Sequence, residues 1–134
     1  MSVARGCGIV CIMNLEARTA VFFNSIASRD VDALAGLCAS DFRLKQNNAP
    51  DHGFDAAIAG LRGLWDAGVT TSYSEVRRAV ADRVITEQHV VTLTRSDGVT
   101  AACDVCVVVR FDDDGLISRI DEYADSAAFA PVFN

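Results

Sequence analysis

The stretch Cys103-Asp104-Val105-Cys106-Val107-Val108-Val109-Arg110-Phe111, followed by Asp112-Asp113-Asp114-Gly115 and then Leu116-Ile117-Ser118-Arg119-Ile120-Asp121-Glu122-Tyr123, decides the fold. The valine-rich run reads as a strand, because β-branched side chains pack well on a pleated surface. Its alternate residues Cys103, Val105, Val107, Val109 and Phe111 form a wholly apolar face, while Asp104, Cys106, Val108 and Arg110 share the other. Asp114-Gly115 supplies the positive backbone angles of a tight hairpin, so the two runs predict consecutive antiparallel strands. Upstream, Asp97-Gly98 predicts a second hairpin between strands over 83–95 and 99–111, and a further strand is expected over 72–81. The triple aspartate reads as a polar turn. A calcium loop would need glutamate at its twelfth position, where Tyr123 stands.

The first half of the chain has helical spacing. Leu15, Thr19, Phe22 and Ile26 predict a helix over 15–28, and Ser28 or Asp30 can cap a second carrying Val31, Leu34, Leu37 and Cys38. Phe42 and Leu44 alternate with Arg43 and Lys45 in a short strand, ended by Gln46-Asn47-Asn48-Ala49-Pro50. Ile58, Leu61, Leu64 and Trp65 predict a third helix over 55–67, stopped at Gly68. Helices followed by consecutive strands imply one α+β domain over 14–134, its helices packed on one face of a curved sheet that can enclose a pocket. Residues 1–13 read as an extension, with Met13 an alternative start.

The chain has 134 residues, 51% hydrophobic and 22% charged, enough for one well-packed core. Its net charge of −6 argues against nucleic acid and anionic membrane surfaces as partners. Five cysteines, an odd number at low density, fit a reducing, cytoplasmic setting. Cys103 and Cys106 match a C-x-x-C pattern, but residues three apart on a strand point to opposite faces and cannot share a metal. No glycine-rich phosphate loop or metal-ligand motif occurs, so no cofactor and no metal is expected.

The pattern Val107-Val108-Val109-Arg110-Phe111, Asp114-Gly115-Leu116-Ile117, Ile120-Asp121-Glu122-Tyr123-Ala124-Asp125 and Ala128-Phe129 resembles the SnoaL-like branch of the nuclear transport factor 2-like superfamily. That superfamily also holds ketosteroid isomerases, polyketide cyclases and limonene epoxide hydrolase. The resemblance runs from about Leu15 to Phe133. It implies a cone of three N-terminal helices on a curved, mostly antiparallel sheet around a deep pocket, commonly in homodimers.

Three residues carry candidate chemistry. On the strand 83–95, one face reads Ile85, Glu87, His89, Val91 and Leu93, placing a carboxylate beside an imidazole among aliphatic side chains. The opposite face is mixed as well, so the Glu87–His89 pair faces either the pocket or solvent. Glu122 stands before Tyr123 where the resemblance implies a last-strand acid. The resemblance stops short of a mechanism, because the Asp-Arg-Asp set of limonene epoxide hydrolase is not reproduced. The catalytic aspartate position of ketosteroid isomerases falls at Lys45, Gln46 and Asn47. Trp65, Tyr73 and Phe42 are expected to line the pocket, His52 to be a solvated loop residue, and Asp104 to face solvent or a dimer partner, paired with an arginine such as Arg119. The expected function is cofactor-free acid–base catalysis, of cyclase, isomerase or hydratase type, on a small and largely apolar molecule; a non-catalytic binding or dimerisation module is the alternative.

Overall fold

In the computed structural model the backbone is described for residues 2–134 and the side chains for residues 15–134. The extension 1–13 and the alternative start at Met13 lie outside the described side chains. Helix α1 (Ser2–Ser28) is followed by α2 (Val31–Leu37), strand β1 (Cys38–Gln46), α3 (Phe54–Asp66) and strands β2 (Thr70–Ala81), β3 (Val84–Thr94), β4 (Thr100–Phe111) and β5 (Ile117–Ala124). A 3₁₀ turn (Ser126–Phe129) and the short helix α4 (Ala130–Phe133) end the chain. Beyond Ala128-Phe129, no local signal announces this terminal helical segment.

Each boundary has a local cause. The Asp30 carboxylate accepts the backbone N–H of Ala33 at 3.0 Å and so caps α2. Cys38, expected on that helix, instead opens β1 in extended conformation. Gly68 (φ 77°) takes the left-handed turn that releases α3 into β2. In the two hairpins Gly98 (φ 95°) and Gly115 (φ 78°) hold the positive angles that the Asp-Gly pairs announced. Asp112 accepts the N–H groups of Asp114 at 2.9 Å and Leu116 at 3.0 Å, so its carboxylate organises a turn.

The strands form one open sheet in the order β1-β5-β4-β3-β2. Three pairings are antiparallel and β1 runs parallel to β5, which makes the sheet mixed. One face is the core. Ile85, Val91 and Leu93 of β3 join Cys103, Val105, Val107, Val109 and Phe111 of β4 and Ile117 and Ile120 of β5. From α1, Leu15, Phe22, Phe23 and Ile26 pack down on it, and buried Thr19 returns its hydroxyl to the Leu15 carbonyl at 2.8 Å. Cys103 is buried and Cys106 half-buried on the opposite face, which keeps the two thiols apart.

Ile117 is fully buried at the start of β5. Ile117→Ala is expected to destabilise the protein by about 2–5 kcal/mol, seen as a lower urea midpoint at unchanged slope.

Candidate active site

Between α1, α3 and the concave sheet face lies a cavity of about 960 Å³. Phe22, Phe23 and Ile26 come from α1, Ile58, Leu61 and Leu64 from α3, and Val91, Leu93, Val105, Val107 and Ile120 from the sheet. Phe129 and Phe133 of the terminal segment complete the apolar wall. Among the described residues that line it, Glu122 is the one acidic side chain.

Glu122 is positioned by strand pairing. It lies opposite Val107 on β4 and beside Gln46 at the end of β1, on a strand whose Ile120 also faces the cavity. Gln46 Nε2 donates to Glu122 Oε1 at 2.7 Å and fixes the carboxylate. Asn47 secures the same corner: its backbone N–H donates to the Glu122 carbonyl at 2.8 Å, and its side chain exchanges two hydrogen bonds with the backbone of Ala124 at 2.8 and 2.9 Å. Asn47 holds φ 52°, a left-handed angle that asparagine tolerates better than most residues.

Glu87 and His89 share the core face of β3 but stand one layer behind the cavity wall. Their side chains are 1% and 0% exposed. The expectation of pocket or solvent is therefore corrected: the pair is in the core, covered by rings that line the cavity. Phe23 and Tyr73 both stand edge-on to the imidazole with ring centroids 4.9 Å away. Glu87 Oε2 meets His89 Nδ1 at 2.5 Å, and Arg78 Nε donates to Glu87 Oε1 at 2.6 Å from the facing position on β2. An arginine so placed compensates the buried carboxylate, which alone would be costly. The alternation of β3 revealed the pair, but Arg78 was missed because its register depends on the irregularity between Ser74 and Arg77.

Tyr73 and Phe42 line the cavity. Trp65 does not: it is half-buried on α3 while its neighbour Leu64 takes the cavity side. His52 is not a freely solvated loop residue. It is half-buried, lines the cavity and exchanges backbone hydrogen bonds with Leu44 at 2.8 and 3.0 Å. Asp104 is exposed, but Arg119 is not its partner; Arg119 bonds Asp121 at 2.8 Å and Asp51 at 2.7 Å, tying the loop before α3 to β5. The hydrogen bond from Arg119 lowers the Asp51 carboxyl below its ordinary range.

Two groups in the wall have displaced proton affinities. Burial, then the charges of Glu122 and Glu87, push the Tyr73 phenol upward, so it remains a hydrogen-bond donor at neutral pH. Burial pushes the Cys38 thiol up to about 12, which keeps it an unreactive thiol. No group of residues suited to hold a metal ion is found among the described residues, nor any helix long and apolar enough to cross a membrane.

Arg78→Met leaves Glu87 buried without its cation and is expected to cost about 3–5 kcal/mol in chemical denaturation. Arg83→Met, which breaks the exposed pair with Asp113, is expected to change stability by less than about 1 kcal/mol.

The fold is shared widely. A protein designated a polyketide cyclase from Xanthomonas campestris pv. campestris superposes with a TM-score of 0.77 at 18% identity, over 91% of this chain and 98% of that one. An LEH-like epoxide hydrolase of M. tuberculosis gives 0.75 at 16% identity, over 90% of each chain. An NTF2-like protein from Burkholderia xenovorans gives 0.72 at 20% identity, over 91% of this chain and 97% of that one. No curated protein matches the chain in sequence. Residues 20–120 match the SnoaL-like domain, and with this sheet, these helices and this cavity the chain belongs to the SnoaL-like family of the NTF2-like fold.

Proposed function

We propose that the protein is a cofactor-independent acid–base enzyme that moves a proton on a largely apolar molecule held in the cavity, as ring closure, isomerisation or hydration requires. The observation that carries this reading is the single carboxylate, Glu122, on a largely apolar cavity wall and oriented by Gln46. A carboxylate held beside apolar surface is available to remove a proton from carbon and return it. Tyr73, kept protonated, supplies a donor to a carbonyl oxygen that gains charge as the proton leaves. A cavity of about 960 Å³ accommodates a molecule of several fused rings or a comparable chain.

The probe that tests it is 2-tetralone, a bicyclic ketone with acidic hydrogens beside its carbonyl. In D₂O the protein is expected to accelerate exchange of those hydrogens above the buffer rate, read by proton NMR. Glu122→Gln, with circular dichroism unchanged, is expected to slow the exchange by about 10²-fold or more. Exchange at the wild-type rate in Glu122→Gln contradicts the assignment.

We also propose a homodimer formed through the outer face of the sheet. There Val84, Val90, Cys106 and Val108 are half-buried with only their own sheet beneath them, and Tyr123 is 54% exposed. Sedimentation is expected to give twice the chain mass of 14.3 kDa, and Val108→Lys is expected to return the monomer. A wild-type monomer at micromolar concentration excludes this interface.

A further inference from the structure

His89 Nε2 is buried and has no hydrogen-bond partner, alone in this among the described side chains. A carboxylate accepts hydrogen bonds, so Glu87 Oε2 assigns the hydrogen to Nδ1, and in the neutral ring Nε2 keeps its lone pair. With that ring neutral, half-buried Arg78 and the buried Glu87 and His89 together carry no net charge. Buried acceptors are seldom left unpaired, since the lost hydration is not recovered. No described residue supplies the missing donor. The imidazole is covered by Phe23 and Tyr73, whose rings also touch each other with centroids 5.1 Å apart. Both rings belong to the cavity wall.

We infer that His89 is a second polar anchor of the cavity, whose Nε2 accepts a hydrogen bond from a hydroxyl group of the bound molecule as the touching Phe23 and Tyr73 rings part to admit it. Arg78 and Glu87 are positioning residues, fixing the tautomer and orientation of the imidazole. The inference rests on the cavity being the ligand site, as proposed above, and narrows the ligand to an apolar molecule that carries an alcohol, enol or phenol hydroxyl.

The test compares 2-naphthol with 2-methoxynaphthalene, which has the same rings and no hydroxyl hydrogen. Calorimetry on the wild type is expected to show 2-naphthol bound about fivefold to tenfold more tightly. That preference is expected to vanish in His89→Phe, which keeps a ring in the core, and to persist in Arg83→Met, which lies outside the cavity. Independently of any variant, ¹⁵N spectra of the wild-type imidazole are expected to show the Nε2 resonance of His89 moving with 2-naphthol and not with the ether. Equal affinities with an unmoved Nε2 resonance overturn the inference and leave the cavity reading standing, as does a preference kept in His89→Phe. Failure of both probes to bind overturns both.

Discussion

The buried contact of Glu87 with Arg78 and His89 is the constraint around which the inner wall of this protein is arranged. A carboxylate on the core face of a sheet requires compensation, and here it comes from a cation across the strand pair and an imidazole two residues along the same strand. With one nitrogen held, the His89 ring cannot turn freely, and Phe23 and Tyr73 pack edge-on against it. Those rings are also cavity wall, so the charge cluster sets where the core ends and the open space begins.

The cavity has a different polar group at its accessible surface. Glu122 reaches it from β5, steadied by Gln46, while Asn47 ties the end of β1 to the same strand. Parallel pairing of β1 with β5 brings these residues together, because it aligns Gln46 with Glu122 in register. Acid–base chemistry needs a carboxylate that is held but not neutralised. Gln46 provides that arrangement, since an amide fixes the oxygen without adding charge.

Most of the fold was legible because its elements announce themselves locally. The Asp-Gly pairs, the alternating valines of β4 and the spacing of Leu15, Phe22 and Ile26 each follow from a short-range rule that the packed structure obeys. The parallel β1–β5 pairing was not legible, as it joins residues more than seventy positions apart and leaves no local trace. The site was partly legible for the same reason. Alternation brought Glu87 and His89 to one face, yet could not say that two rings from α1 and β2 would cover them. Arg78, Gln46 and Asn47 were missed because their roles arise from cross-strand register, and His52 because a loop residue reaches the cavity only once β1 and the segment before α3 are joined. Trp65 was misplaced by a single helical position, a shift of about 100° that exchanges the cavity side for the flank.

The central claim is that an apolar molecule sits between α1, α3 and the sheet with its reacting carbon at Glu122. A crystal structure of the protein with 2-tetralone tests it most directly. The account predicts the ketone within the cavity, the carbon beside its carbonyl in contact with the Glu122 carboxylate and the carbonyl oxygen toward the Tyr73 phenol. A ketone bound elsewhere, or a cavity closed by its own side chains with Glu122 turned to solvent, would contradict it.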